Sequence, residues 1–362
     1  MWAYLTVYSA FSLLGLSVNG RQAKIFVLFA LAFLLWFMGT RFEVGCDFSG
    51  YLNRFSIAPD TVDFADIRTS SEPGFELLIR SVKAFNLDYM WLNVFASAII
   101  LFGFSRFLAA FRLPLLILAL LFPIVILQLS MSGIRQAIAV ALLMAAAHPF
   151  LKGHRIATAL WILAATAFHT SAVIFLPIAL VAGRKVSFVR LVGAAAILLP
   201  AAIFIGGDRF ETYQDRYIDQ IYGEVSSGGA FIRYAMILLP AVIFLAFRKR
   251  FAAEVPREYD FLNLFSIIIV AVGLAGLVSS LALHRLNYYI MPFSLVIFAY
   301  ASIVFGARNK SNRQLLKIVP ILMYGGYMVF WLGNSRHADM CYIPYQSYTL
   351  SDEAAGIELW RE

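Results

Sequence analysis

The sequence contains many separate apolar runs of about 17–20 residues, each long enough to cross roughly 30 Å of hydrocarbon as a helix. Hydrophobic residues make up 61% of the chain, well above the roughly 45–50% typical of soluble domains. Inside a bilayer the backbone has no water to bond, so only helices and closed barrels can span it. We therefore predict an all-α, polytopic membrane protein, organised as a single integral membrane domain over residues 1–362.

These runs predict twelve transmembrane helices. They cover residues 2–18, 25–40, 89–105, 113–129, 134–150, 157–169, 171–182, 189–205, 230–247, 261–281, 288–305 and 318–332. The sixth and seventh are short and meet at His169 and Thr170, so a re-entrant hairpin is an alternative for that pair. Alternate threading gathers most of the 29 basic residues, but few of the 21 acidic ones, into one set of loops. Because lysine and arginine favour the cytoplasmic side, those loops are predicted to be cytoplasmic and both termini to lie outside.

The net charge of +8 is thus a consequence of topology and gives no reason to expect a nucleic-acid partner. The cytoplasmic connections are mostly short and contain neither a P-loop nor a Rossmann glycine fingerprint, which argues against nucleotide-driven chemistry on that side. No set of cysteine, histidine and acidic residues has zinc-ligand spacing, and no EF-hand loop is present. We therefore predict neither a cofactor nor a structural metal.

The outer face holds the larger non-membrane segments, which are the loops 41–88 and 206–229 and the tail 333–362. In the first loop, the stretch SSEPGFELLIRSVKAF begins with serines, has Pro73 near its start and then shows apolar residues at helical spacing. This pattern predicts a serine-capped amphipathic helix. We expect its apolar face to lie on the membrane surface.

The second outer loop contains DRFETYQDRYIDQIYGE, with Tyr213 and Tyr217 on one helical face and charges on the other. One interpretation is an interfacial helix with an aromatic belt. The alternative is a glycan-binding groove, in which the tyrosine rings stack on sugars and the acids accept hydroxyl hydrogens.

Two cysteines, Cys46 and Cys341, both fall on the outer face in this threading. An oxidising compartment permits a disulfide between the first loop and the tail. Sequence alone does not give their separation, so the bridge is one of two open alternatives.

Arg135 stands at the outer end of the fifth predicted span, in SGIRQAIA. One interpretation is that it reaches from the helix end to the lipid headgroups. Against this, other cations lie near outer span ends, where positive-inside topology should deplete them; these are Arg41, Arg233 and the pair His284-Arg285. Converging guanidinium groups would bind an anion, and at a membrane surface we expect a lipid phosphate or pyrophosphate.

His169 lies at the predicted outer tip between the sixth and seventh spans, in AFHTSAVIFLP. A histidine beside Thr170 and Ser171 is often a capping or packing residue, but a neutral imidazole can also accept a proton. Acidic residues of the first outer loop are alternative proton acceptors: Glu43, Asp47 and Glu72.

Several stretches, taken together in order and spacing, resemble the EpsG family of Wzy-like polymerases, which assemble bacterial exopolysaccharide and O-antigen. They are RFEVGCDFSGY, EPGFELL, SGIRQAIA, AFHTSAVIFLP, HRLNYYIMP and, in the tail, YIPYQSY. The resemblance runs from about Arg41 to Pro292, and no single motif is specific. The cysteine of VGCD departs from the family pattern, in which a small or hydroxyl residue is commoner. By analogy only, the fold is related to class C membrane glycosyltransferases.

The resemblance implies an enzyme of the bacterial cytoplasmic (inner) membrane that joins undecaprenyl-pyrophosphate-linked oligosaccharide repeats on the outer face. It implies that Arg135 holds the pyrophosphate, with Arg41 and Arg285 as further donors, and that His169 or Asp47 deprotonates or orients the acceptor hydroxyl. The candidate glycan-binding residues are Glu72, Gln136, Tyr213 and Tyr217. Membrane lipid, a chain-length regulator and a flippase of the same pathway are the expected partners.

Three other functions are alternatives. A transporter that flips lipid-linked sugars suits twelve spans, but the charges collect at one face and no repeated halves are visible. A membrane acyltransferase would need a histidine on the inner side, where His148 and His154 are isolated. An O-antigen ligase uses the same donor and cannot be separated from a polymerase by charge placement.

Overall fold

The computed structural model describes residues 1–183, Gly193, 228–276, 280–306 and 310–350. Within these ranges the chain is helical and forms no strand, which confirms the predicted all-α class for the part described. The chain divides into two compact units that alternate along the sequence. One comprises Met1–Ala145, Ala164–Thr170 and Val319–Glu362, and the other comprises Ala146–Leu163 and Ser171–Ile318.

The first unit contains the helices of the N-terminal 145 residues. They are α1 Trp2–Ser17, α2 Arg21–Gly39, α3 Phe48–Ile57, α4 Phe64–Thr69, α5 Pro73–Ala84, α6 Tyr89–Leu108, α7 Pro114–Leu121, a π-helix Phe122–Ser130 and α8 Ile134–Ala145. Further helices follow in chain order: α9 Ala147–Leu151, α10 Arg155–Phe168, a 3-10 helix Thr170–Phe175, α11 Pro177–Val181, α12 Gly228–Ala246, α13 Arg248–Glu254, α14 Tyr259–Gly276, α15 Ser280–Phe305, α16 Lys310–Asn334 and α17 Arg336–Tyr342. Helices α10 and α16 contribute residues to both units.

Among the described residues, five helices are long and apolar enough to cross a membrane: Arg21–Gly39, Tyr89–Leu108, Ile134–Leu151, Leu286–Phe305 and Ser311–Asn334. Shorter apolar helices accompany them: Pro114–Ser130, Arg155–Phe168, Thr170–Val181, Ile232–Ala246 and Tyr259–Gly273. This is the pattern of a multi-pass membrane protein. The count of twelve spans stays a prediction, because most of the predicted span 189–205 and of the loop 206–229 lies outside the described residues.

The core of the first unit is built from close helix packing around α6, which contacts α2 and α8. Gly103 of α6 lies against the backbone of α8, where a Cβ would overlap the carbonyl of Ala141. Small residues at such contacts let membrane helices approach at backbone distance. This packing fixes the position of α8, whose first turn carries Arg135.

Residues 41–88 fold as three short helices, α3, α4 and α5, on the first unit. The helix predicted for SSEPGFELLIRSVKAF is present as α5, with Pro73 at its first turn. Its N-cap is Glu72, so the expected serine cap is wrong; Ser70 instead accepts a hydrogen bond from the Glu72 backbone N–H at 3.3 Å. Part of the apolar face expected on the membrane surface packs inside the protein, where Phe75 and Ile79 are fully buried, whereas Phe85 at the C-cap is 77% exposed.

The C-terminal segment folds back onto the start of this loop. Cys46 and Cys341 form a disulfide with a Cα–Cα distance of 4.9 Å, which settles the open alternative in favour of the bridge. The Tyr348 backbone N–H donates to the Thr40 carbonyl at 2.7 Å, and the Tyr345 ring stacks on Phe37 with 4.4 Å between centroids. The described part of the predicted tail 333–362 therefore packs on the start of the first loop, and residues 351–362 lie outside the described residues.

Candidate active site

Arg135 lies in the first turn of α8, directly after the π-helix and the Met131–Gly133 connection, and its side chain is 35% exposed. Its Nη1 donates a short hydrogen bond to the Glu72 carboxylate. The guanidinium carbon also lies 5.8 Å from the Tyr51 ring centroid and 6.0 Å from that of Phe75, within the range of cation–π contact. Arg135 is therefore held by one carboxylate and two rings.

Glu72 joins Arg135 to His169. One carboxylate oxygen, Oε1, lies 2.5 Å from His169 Nδ1, and the other, Oε2, accepts from Arg135. The residue is only 4% exposed. Burial on its own would raise the pKa of Glu72, but the hydrogen bond from His169 and the charge of Arg135 outweigh it, so that the pKa lies below its ordinary value. Glu72 is thus an ionised, buried carboxylate with two different partners.

His169 is positioned by the contact between the end of α10 and the start of α5. Its backbone N–H donates to Ala165 at 3.0 Å, and the Thr170 hydroxyl donates to the Ser71 carbonyl at 3.0 Å. Gly74 makes the approach possible, because a Cβ there would lie 3.1 Å from the Ala167 carbonyl oxygen. Two segments almost one hundred residues apart in sequence are thereby brought together.

The second ring nitrogen of His169, Nε2, is buried and has no hydrogen-bond partner among the described residues. Leaving a buried polar atom unpaired costs about 1–3 kcal/mol. Such an atom needs an explanation, and a ligand group that supplies the missing partner is one. The imidazole therefore has one nitrogen fixed by a carboxylate and one without a partner among the described residues.

A chain of ion pairs extends from Glu72 along the first loop. Arg54 lies 4.0 Å from Glu72 and 3.3 Å from Glu76. Arg80 in turn bonds Glu76 at 2.8 Å and Asp66 at 2.5 Å. These alternating charges connect α3, α4 and α5.

Asp47, the other predicted proton acceptor, is exposed at the N-cap of α3, and its backbone N–H donates to Ser132 at 3.3 Å. The preceding loop packs closely on the start of α8. Gly45 has φ +103°, and a Cβ there would overlap the Met131 carbonyl, so only glycine fits. Asp47 thus lies beside the connection that leads to Arg135, although no contact links it to His169.

Arg41 lies inside the protein, where its guanidinium donates to the backbone. Its side chain is fully buried at 1% exposure, with Nη1 donating to the Met38 carbonyl at 2.6 Å and Nε to the Met131 carbonyl at 3.2 Å. The expectation that it binds pyrophosphate stays a prediction. Its guanidinium instead ties the end of α2 to the segment that precedes α8.

Of the four remaining candidate site residues, one is buried, and the side chains of the other three lie outside the described part of the chain. Gln136 follows Arg135 in α8 but is 9% exposed, because successive helical residues point about 100° apart. Tyr213 and Tyr217 lie outside the described residues, as does the side chain of Arg285. Tyr51 was missed by sequence reasoning, although it closes the family-like stretch RFEVGCDFSGY and follows Asp47 by one helical turn.

No group of three histidine, cysteine or acidic side chains within the described ranges could hold a metal ion. The cluster instead combines a guanidinium, a carboxylate and an imidazole with a buried, unpaired nitrogen. Such a set can bind an anionic group and accept a proton.

The fold and this cluster define a multi-pass helical membrane protein with a polar site formed by a loop and the ends of two helices. The EpsG family model matches residues 24–347, so the chain belongs to the EpsG family, the family of Wzy-like exopolysaccharide polymerases. Membership implies a glycosyltransferase-like polysaccharide polymerase. No curated protein and no solved structure matches the chain significantly.

Proposed function

We propose that this protein joins oligosaccharide repeats carried on undecaprenyl pyrophosphate into a polysaccharide on the outer face of the bacterial cytoplasmic membrane. One observation carries the proposal: in a chain of the EpsG family, Glu72 brings Arg135 and His169 into a single cluster. The Cys46–Cys341 disulfide supports the outer placement, because disulfides persist in oxidising compartments.

In the proposed reaction, the hydroxyl oxygen of the acceptor sugar attacks the anomeric carbon of the lipid-linked donor. The bond between that carbon and the diphosphate oxygen breaks, and undecaprenyl diphosphate leaves with the bonding electrons. The hydroxyl proton passes to Nε2 of His169, which lacks a partner among the described residues. The cleaved sugar–phosphate bond supplies the free energy, so no nucleotide is required.

Arg135 is suited to the leaving group. Glu72 engages Nη1, and Nη2 has no hydrogen-bond partner in the described part of the chain. A guanidinium has five N–H donors in a planar fork that matches phosphate oxygens. Because negative charge grows on the departing diphosphate, donors held in place lower the barrier more than they stabilise the ground state.

The other proposed contacts concern the glycan. Asp47 is exposed beside the start of α8, and in this proposal its carboxylate accepts a hydrogen bond from the acceptor sugar. Tyr213 and Tyr217 stack on sugar rings, and Arg285 adds a second cation for the diphosphate. A chain-length regulator and a flippase of the same pathway complete the proposed set of partners.

The test compares the sizes of lipid-linked and surface glycan in cells with the wild-type protein, without it, and with Arg135→Ala, after measuring protein in the membrane. Arg54→Ala is the matched control, because its side chain is similarly exposed, 30% against 35%, and it pairs with carboxylates of the same loop. We expect the ladder to collapse to a single repeat outside the membrane without the protein and with Arg135→Ala, but not with Arg54→Ala.

Three outcomes contradict the proposal. Single repeats trapped on the cytoplasmic side would indicate a flippase. An unchanged ladder with Arg135→Ala would remove Arg135 from the reaction, and an unchanged ladder without the protein would exclude polymerisation as its activity.

A further inference from the structure

The Glu72 carboxylate is shared between two groups of different chemistry. Oε1 faces the Nδ1 atom of His169 at 2.5 Å, and Oε2 accepts from the guanidinium of Arg135. Both contacts are made by a residue that is 4% exposed, so water does not compete freely for either oxygen. The orientation of the carboxylate is therefore fixed at both ends.

An ionised carboxylate can only accept hydrogen bonds. The pKa of Glu72 lies below its ordinary value, because His169 and Arg135 outweigh the effect of burial. The hydrogen of the Glu72–His169 contact must therefore lie on Nδ1. In a neutral imidazole this leaves the lone pair on Nε2, which is the buried nitrogen without a partner among the described residues.

From this geometry we infer that Glu72 is a positioning residue: it holds His169 in the Nδ1–H tautomer, so that Nε2 accepts the proton, while Arg135 holds Glu72 in place. The inference deepens the proposed function and rests on it. It also moves Glu72 from the glycan-binding role expected from sequence to support of the base. The carboxylate further stabilises the imidazolium that forms when the hydroxyl proton arrives.

Glu76 provides a matched control. It lies one turn further along α5 and is also a partly buried carboxylate with two arginine partners, Arg54 and Arg80. The contacts of His169 in the structure involve Glu72 and not Glu76. Glu72 and Glu76 therefore match in charge and in having arginine partners, and they differ in the contact with His169 that the inference needs.

Replacing Glu72 by glutamine keeps the shape of the side chain, but the amide can be oriented in two ways. It has a hydrogen-bond acceptor on one side and a donor on the other. If the amide oxygen faces Arg135, the amide N–H group donates to Nδ1, and the ring hydrogen must then lie on Nε2. If the amide is reversed, its N–H group faces the guanidinium without an acceptor. The first orientation satisfies Arg135, so Glu72→Gln should select the tautomer that cannot accept the proton.

The kinetic test uses the purified full chain in detergent with lipid-linked repeats as substrate. For Glu72→Gln we expect kcat to fall by about 10²–10⁴-fold, as when the supporting carboxylate of a histidine base becomes an amide in other enzymes, with KM changed less than about threefold. Glu76→Gln should keep kcat within about threefold. A Glu72→Gln kcat within that range, or a rise in KM alone, would overturn the inference.

A second readout does not depend on activity. Nitrogen NMR of protein with ¹⁵N-labelled histidine, in mildly alkaline buffer, reports which ring nitrogen is protonated, and His169→Gln identifies the signals of His169. Wild type and Glu76→Gln should show the hydrogen on Nδ1, and Glu72→Gln should show it on Nε2. The same tautomer in wild type and Glu72→Gln would sink the idea.

The two proposals fail in different ways. If His169→Gln extends glycan as well as wild type, His169 is not the base and the proposed function loses that residue, whatever the tautomer. If His169→Gln is inactive but Glu72→Gln is active, only the positioning role is lost. Should Glu72→Gln accumulate poorly, Glu72→Asp keeps an acceptor-only group and should keep the Nδ1–H tautomer at reduced kcat; loss of that tautomer would contradict the inference.

Discussion

Arg41 and Arg135 occupy two regions of the same unit and use their charge in opposite ways. The Arg41 guanidinium donates to two backbone carbonyls and is 1% exposed. The Arg135 guanidinium pairs with a carboxylate, and its side chain is 35% exposed. A carbonyl belongs to the backbone and cannot leave without unfolding, whereas a carboxylate partner can share the cation with another anion. The type of hydrogen-bond acceptor, backbone carbonyl or carboxylate, therefore distinguishes a structural arginine from one that can bind a ligand.

The largest effect that tests this contrast is expected from Arg41→Ala. Two buried carbonyls, of Met38 and Met131, lose their donor, and we expect the free energy of unfolding to fall by about 3–5 kcal/mol. Thermal unfolding in detergent and the amount of protein in the membrane measure it. A variant as stable as wild type but inactive would restore Arg41 to the ligand-binding role expected from sequence.

Next in size is the loss of the Cys46–Cys341 disulfide, which joins the loop after Arg41 to the C-terminal segment across 295 residues. Replacing both cysteines by serine should destabilise the protein by about 2–4 kcal/mol. The ion pair of Arg135 involves neither cysteine, so activity at low temperature should persist. Melting curves with and without reductant measure the loss of stability, and polymerisation assays measure the activity. Equal melting temperatures with and without reductant would contradict the predicted loss of stability.

The third prediction concerns Arg135→Lys. A lysine can still pair with Glu72, so stability should change by less than about 1 kcal/mol. It lacks the planar fork for phosphate, and activity should fall by about 10–100-fold, equivalent to about 1.4–2.7 kcal/mol. Initial rates on lipid-linked repeats check this, and full activity would show that a point charge is sufficient.

A smaller effect should appear in the pH dependence of stability. The folded pKa of Glu72 lies below its ordinary value of 4.5, so its stabilising contribution is present above pH 4.5 and is lost as the pH falls through the folded value. The difference in the free energy of unfolding between wild type and Glu72→Gln should therefore shrink below pH 4.5. Unfolding titrations of both proteins across this range measure it, and a constant difference would argue against the ion pair.

The smallest effect is expected from Arg54→Gln. Its side chain is 30% exposed and lies 4.0 Å from Glu72 and 3.3 Å from Glu76. Such partly exposed pairs contribute about 0–1 kcal/mol, so stability should change within that range and activity by no more than about threefold. A larger loss of activity in glycan assays would extend the site beyond Arg135.

Sequence patterns identify the individual residues of the site better than their partners. Arg135 stands out as a cation at the end of an apolar run, and His169 as a polar residue between two short ones. Glu72 is one acid among several in its loop, and its pairing with His169 depends on the contact of α5 with α10 across 97 positions. The spacing of apolar residues indicates which face of a helix is buried, but it does not indicate which loop packs against that helix.

The fold, too, could be predicted only in part from the sequence. Apolar runs predict helices correctly, and most predicted spans in the described ranges correspond to helices. The run 113–129, however, forms α7 followed by a π-helix that ends at Ser130, a change of winding that hydrophobicity does not encode. The burial of Arg41 against the carbonyls of Met38 and Met131 is likewise absent from a residue pattern, because backbone acceptors do not depend on residue type.

The return of the C-terminal segment onto the first loop also sets the order in which the protein can mature. The ribosome makes Cys341 some 295 residues after Cys46, which at about 5–20 residues per second is roughly 15–60 s later. During that interval Cys46 has no bridge and Thr40 lacks the hydrogen bond from Tyr348. The nascent chain must therefore hold the loop beside Arg41 without this bridge until Cys341 has been made, although Glu72, Arg135 and His169 are all synthesised much earlier.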